Sequence, residues 1–281
     1  MSHHEVHVRK MRVGINDQNV AQYYLDSAEG SIHMNALIGS RISLSFDGQI
    51  NCIHCGRKTK KTFNQGACFP CFRSLAQCDT CIIKPEQCHF EHGTCREPDW
   101  GQANCMQDHF VYLANTGVVK VGITRHVSNG VSSRWIDQGA TQALPIFKVK
   151  SRKVSGLVEI EIAKYISDKT NWRTMLKGGY PAVDLIEFWA QLREKVKNSI
   201  DAITQEIGLQ SLTELDMPAL DIDFPVRRFP EKIKSLNFDK APNIEGDLLG
   251  IKGQYLLLDG DRVLNLRNAS GYNISLSSFA A

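Results

Sequence analysis

The chain has 281 residues, 42% of them hydrophobic and 22% charged, with a net charge of +3. That composition excludes a low-complexity or disordered polymer and leaves room for two or three small domains. No apolar run approaches a membrane span, and MSHHEVHVRK at the N-terminus lacks a secretory apolar core, so a cytoplasmic protein without a membrane partner is expected. Charge is uneven along the chain. Residues 106–178 carry 11 Lys/Arg against 5 Asp/Glu, whereas 179–281 carry 11 against 15. A basic segment points to an anionic partner, and nucleic acid is the commonest large one.

Residues 1–50 alternate apolar and polar positions over MNALIG (Met34–Gly39) and ISLSF (Ile42–Phe46). The pair Asp47-Gly48 closes them with hairpin chemistry. This segment reads as a β-rich leader.

All nine cysteines fall in 51–105. Cys52-x2-Cys55 and Cys68-x2-Cys71 form two knuckles, and a two-residue gap lets both thiolates of a knuckle reach one ion. Two knuckles complete the tetrahedral shell of a structural zinc site. Gly56 and Gly66 suit the tight turns involved. Cys78, Cys81, Cys88 and Cys95 give a second expected set, with His89 or His92 able to replace one of the latter two. Crossed pairing between the first and third cysteine pairs also fits, and Cys105 is left over, as a buried thiol or as a substitute ligand with His109. An odd cysteine count disfavours a disulfide framework. Soft thiolate sets also suit an iron–sulfur cluster, but two structural Zn2+ ions are the preferred reading, because so few large apolar residues need metal to fold. The basic run Arg57–Lys61 follows the first knuckle.

From 106 to 180 the pattern is strand (Phe110–Leu113), turn (Asn115-Thr116-Gly117), strand (Val118–Ile123) and a short helix capped by Ser132 or Ser133. A strand over Leu144–Lys150 and a helix over Gly156–Asp168 follow. The long stretch 181–238 begins with an amphipathic helix over 182–208 bearing Leu185, Phe188, Trp189, Leu192, Val196, Ile200 and Ile203 on one stripe. A Pro- and Asp-containing connector follows. Short strands recur in 239–281, and their pattern resembles the leader, which suggests that tail and leader pack together.

The phrases HFVYLAN, KVGITR, RWIDQGA, GLVEIEIA and TNWR carry a resemblance. They look like the GIY-YIG nuclease superfamily, nearest its phage-type branch with KIG in place of YIG. Most of the chain also resembles a bacterial family of unassigned function with paired zinc cysteines and a C-terminal GIKGQY. The fold class expected is α+β. A GIY-YIG-like small mixed sheet with helices would be preceded by a zinc-ribbon-like module and flanked by short antiparallel β segments.

The resemblance implies site residues position by position. The proton-accepting tyrosine falls at Tyr112, or its position at Val111. Lys120 stands where the second motif has tyrosine, and His109 or His126 are other candidates for proton transfer. Arg134 matches the phosphate-clamping arginine, Glu159 the single carboxylate that would hold Mg2+, and Asn171 a late polar residue. Hydrolysing a phosphodiester needs an activated water, a cation on the developing charge and a metal on the phosphate oxygens. Arginine's planar fork suits phosphate. The expected function is therefore a zinc-stabilised protein binding DNA or RNA, with Mg2+-dependent phosphodiester hydrolysis implied by the resemblance. A non-catalytic RNA- or ribosome-associated module and a protein-interaction scaffold are the alternatives.

Overall fold

The computed structural model describes residues 2–279. The chain opens with β1 (Ser2–His7), then the antiparallel meander β2 (Arg12–Ile15), β3 (Ala21–Ser27) and β4 (Gly30–His33). The long β5 (Arg41–Asn51) and β6 (Lys58–Thr59) lead into the cysteine region, which holds α1 (Phe69–Ser74), four short 3-10 turns and α2 (Pro98–Asn104). The middle of the chain contains β7 (His109–Asn115), β8 (Val119–Thr124), α3 (Ser133–Asp137), β9 (Gln142–Val149), α4 (Arg152–Ala163), α5 (Trp172–Lys177) and α6 (Leu185–Ile207). Then come β10 (Leu212–Glu214), β11 (Leu220–Asp221), β12 (Lys234–Leu236), β13 (Asn243–Lys252), β14 (Tyr255–Leu258), β15 (Arg262–Asn265) and β16 (Tyr272–Phe279). The class is α+β. No helix among the described residues is long and apolar enough to cross a membrane.

Leader and tail are one structure. The largest sheet runs β1-β16-β5-β13-β14-β15-β12, with β6 on β5. Strand β5 lies between two tail strands, Leu44 facing Ile244 of β13 and Leu276 of β16. Its alternation puts Ile42 and Leu44 in the core. Asp47-Gly48 does not turn the chain. Phe46 pairs with Ile274 and Ile50 with Tyr272, so three residues oppose one and form a bulge. Gly48 takes φ +84° there, and Asp47 Oδ1 accepts from Gln49 N at 2.7 Å. Pairing with β16 on either side of the dipeptide, at Phe46 and at Ile50, carries β5 on through residues that would otherwise make a hairpin.

The second sheet, β10-β9-β7-β8 with β11 on β9, is wholly antiparallel rather than mixed. Both β8 and β9 flank β7, and the single parallel contact is an isolated bridge from Lys120 to Ser167. Strand β7 is buried on both faces. Val111 and Leu113 join the core made with β9, α4 and α6, while Tyr112 and Ala114 join the core shared with the large sheet, Trp135 and Ile136. Helix α6 places Leu185, Trp189, Leu192, Val196 and Ile200 on its buried stripe. Asp184 caps it, accepting from Ile186 N at 3.1 Å and Glu187 N at 3.0 Å. The connector after it is built in, since Leu212 pairs with Val149 and Leu220 with Ala143.

The GIKGQY phrase is architectural. Gln254 Oε1 accepts from Met11 N at 2.8 Å, and Gln254 Nε2 donates to Met11 O at 3.1 Å and Asp137 Oδ1 at 2.8 Å. Lys252 is 1% exposed. Its ammonium donates to the Tyr180 hydroxyl at 3.0 Å and lies 4.8, 5.0 and 5.4 Å from the ring centres of Tyr180, Phe224 and Phe229. Burial lowers its pKa to about 8. Keeping the ammonium charged there costs on the order of 3 kcal/mol. Below pH 8 folded and unfolded chains both hold this proton. Above it, the native lysine is neutral while the unfolded one still binds a proton, so stability rises with pH. Urea unfolding of the parent and of Lys252→Met should therefore diverge in the parent's favour by about 1 kcal/mol per unit between pH 8 and 10. A pH-independent difference would show that the lysine keeps its ordinary pKa.

Candidate functional site

Two cysteine sets and one cluster of charged residues are the candidate sites. In the first set, Cys52 follows β5, Cys55 lies in the exposed turn, Cys68 precedes α1 and Cys71 sits in its first turn. Gly56 N bonds Cys52 O at 2.9 Å, and Gly56 at φ +73° closes the knuckle. Cys68 N donates to Cys52 Sγ at 3.1 Å. All four sulfurs lie within 4.8 Å of one another, and Cys55 and Cys68 are 3.7 Å apart. Four sulfurs about 2.3 Å from one zinc sit about 3.8 Å apart at tetrahedral angles. The set therefore has the dimensions of a single-ion site.

Its electrostatics agree. Burial would raise the Cys52 thiol, but backbone N–H groups of Cys55, Cys68 and His54 bring it down to about 6. Burial, then the neighbouring Cys55, Cys68 and Cys52, push the Cys71 thiol strongly up. Four such thiols do not all ionise without a cation between them. These residues fit a metal ion such as zinc.

The second set was expected at Cys78, Cys81, Cys88 and Cys95. Cys81, Cys88 and Cys95 line one cavity, but the fourth cysteine on it is Cys105, at the C-terminal end of α2. Cys78 is buried and does not line it. Cys78 and Cys81 occupy consecutive 3-10 turns separated by Asp79 in extended conformation. His89 also lines the cavity, while His92 is exposed and does not.

The charged cluster lies where β8 ends the second sheet. Tyr112 pairs with Gly122, and a Cβ on Gly122 would stand 2.6 Å from the Tyr112 hydroxyl, so only glycine lets the ring cross β8 there. Gln138 Nε2 donates to that hydroxyl at 2.9 Å, and Trp135 packs edge-on against the ring at 5.8 Å. Val111 faces the opposite core. Lys120 is 5% exposed, Glu159 on α4 is half-buried, and Arg134 on α3 is exposed.

These four residues lie within one another's fields. Burial raises the Tyr112 pKa, opposed by Arg134. Burial, then Arg134, lower Lys120 to about 8 against the pull of Glu159 and Asp168. Burial raises Glu159, opposed by Lys120 and Arg134 and reinforced by Asp168. Among the described residues none of Lys120, Arg134 and Glu159 is closed into a salt bridge. Such an arrangement can hold a phosphate between Arg134 and Lys120 with a carboxylate alongside.

The remaining expectations fall outside this cluster. Asn171 is committed to capping α5, its Oδ1 accepting from Arg173 N at 3.1 Å and Thr174 N at 3.3 Å. His109 is fully buried, and burial holds it neutral with a pKa of about 4. Two residues at the cluster carried no signal in the sequence: Asp168, and Arg267 from the tail, whose guanidinium feels Arg134 and Asp137. On α5, Arg173 lies 4.3 Å over the Trp172 ring, which stacks on Tyr255 at 5.7 Å. For the first cysteine set, elemental analysis should find that Cys55→Ser lowers bound zinc by about one ion per chain. Limited proteolysis of that variant should then cut newly within residues 52–75. Unchanged zinc would remove this set from the metal sites.

No curated protein and no solved structure matches the chain. A family model described as "Protein of unknown function (DUF2797)" matches residues 39–274, a span reaching from just before β5 into β16 and including both cysteine sets and the charged cluster. The chain belongs to that family.

Proposed function

We infer that the chain is a zinc-stabilised nucleic-acid-binding protein whose core is a divergent GIY-YIG-like phosphodiester site. One observation carries the reading: Tyr112, Lys120, Arg134 and Glu159 share one electrostatic neighbourhood with their charges not spent on each other in salt bridges. Arg134, exposed on a short helix, is the residue to clamp a phosphate. Lys120 supplies a second positive charge from β8. Arg125, His126 and Lys150 line an open basin on the same basic segment. The stacked Arg173, Trp172 and Tyr255 offer a face for an unpaired base.

Cleavage is the second part of the reading. Glu159 has Asp168 near it, and two carboxylates beside open solvent fit Mg2+, which keeps most of its water. Bound there, the ion would polarise phosphate oxygens. Tyr112 is a poor base, since burial raises its pKa and its hydroxyl already accepts from Gln138. Lys120, with a pKa of about 8, has a neutral fraction able to accept a proton from water.

Fluorescence anisotropy with short single- and double-stranded DNA and RNA tests the binding. Affinity should fall steeply with salt, and Arg134→Ala should weaken it about tenfold and reduce the salt slope by about one. Glu159→Gln should retain binding and lose Mg2+-dependent cleavage. Binding without cleavage in the parent would leave a non-catalytic module. Absence of salt-dependent affinity would overturn the reading.

A further inference from the structure

We propose that Cys81, Cys88, Cys95 and Cys105 form a second thiolate site that holds an iron–sulfur cluster rather than a single zinc ion. This goes beyond the nucleic-acid reading and does not depend on it. The two cysteine sets are held differently. The first closes on a point, with every sulfur within 4.8 Å of the others. The second lines one small cavity, and Cys88, Cys95 and Cys105 do not come within 4.8 Å of one another as a group. One zinc ion bound by four thiolates requires sulfur separations of about 3.8 Å. Wider spacing suits a polynuclear centre in which each metal takes one thiolate, as in a four-iron, four-sulfide cluster held by four cysteines.

The surroundings fit such a centre. Ile82, Phe90 and Trp100 give the cavity apolar walls, which limit water at a cluster. A Cβ on Gly101 would stand 2.9 Å from the Phe90 ring and 3.0 Å from Cys95 Sγ, so the backbone of α2 closes directly on the sulfur. Arg152 gives the negatively charged thiolates a partly buried counter-charge. Its guanidinium donates to Ile82 O at 2.5 Å and feels Cys105 and Cys81, and its backbone N–H donates to Cys105 O at 2.8 Å.

The competing set is Asp79, Cys81 and His89, whose donor atoms lie within 4.8 Å. Asp79 is already engaged, taking Arg96 Nε at 2.7 Å on one oxygen and Thr80 N at 2.6 Å on the other. His89 Nδ1 pairs with Thr94 Oγ1 at 2.8 Å. Asp79 and His89 also face each other, His89 Nε2 lying 3.5 Å from Asp79 Oδ2, so both are held in a polar network of their own.

The test is iron, zinc and acid-labile sulfide content of the full chain, purified anaerobically and reconstituted with ferrous iron and sulfide, with visible absorption before and after dithionite. The parent should hold about four irons and four sulfides in addition to one zinc, with a visible band that bleaches on reduction. Cys105→Ser should lower iron and sulfide at least several-fold with zinc unchanged. Cys78→Ser and His89→Ala should leave both at parent levels. Two zinc ions with no sulfide in the reconstituted parent would overturn the proposal, as would iron that survives Cys105→Ser but is lost with Cys78→Ser. The parent's content decides the matter even where a cysteine variant is insoluble.

Discussion

A single buried amide ties together the parts of the chain that sequence separates most. Gln254 satisfies both backbone groups of Met11 and holds the carboxylate of Asp137, whose other oxygen pairs with Lys10 at 2.7 Å. Met11 is fully buried, so without the amide its N–H and C=O would each lack a partner at a cost of about 1–3 kcal/mol apiece. Asp137 ends α3, and α3 carries Arg134 and Trp135. The orientation of the arginine at the charged cluster therefore depends on an amide supplied by the C-terminal hairpin. The next glycine back, Gly253, comes close enough that a Cβ would be 3.0 Å from Asp137 O. Helix α3 has only five residues, too few to hold itself, and tertiary contacts on both sides set its place.

Helix α4 links the second cysteine set to the cluster. A Cβ on Gly156 would lie 2.6 Å from Glu86 N and 2.6 Å from Pro85 Cβ, so the segment between Cys81 and Cys88 rests on the helix without side-chain clearance. Arg152, one turn before that contact, bonds the cysteine loop, and Glu159, two turns after Arg152, joins Lys120 and Arg134. The cysteine region thus supports the basic core and is more than an appendage to it.

Much of this was legible in the residues, and the parts that were not have physical reasons. Helix α6 was readable because its apolar spacing repeats at helical period over five turns. The first knuckles were readable because metal ligation at Cys-x2-Cys is a local geometry, with Gly56 in its turn. The place of Cys105 on the same cavity as Cys81, Cys88 and Cys95 was not, because it is set by how α2 packs on the 3-10 turns, which spacing does not encode. Asp47-Gly48 misled because local turn chemistry was overruled by strands arriving from about 200 residues later. Arg267 gave no signal for the same reason. The four cluster positions rested on likeness of motif, and only the fold brings them together.

The placement of β5 has a consequence for biosynthesis. Apart from the two-residue β6, which pairs only with Ile50 and Asn51, its partners are β13 and β16, so most of a strand made among the first fifty residues waits for the tail to emerge. The antiparallel sheet around β7 draws its strands from 109–221 and closes earlier. Ser2 ends opposite Ser278 across β1 and β16. With Ser2 and Ser278 adjacent, linking β16 to β1 and opening the chain within the exposed turn after β12 would let β13 through β5 be made consecutively, a permuted order that relieves the wait.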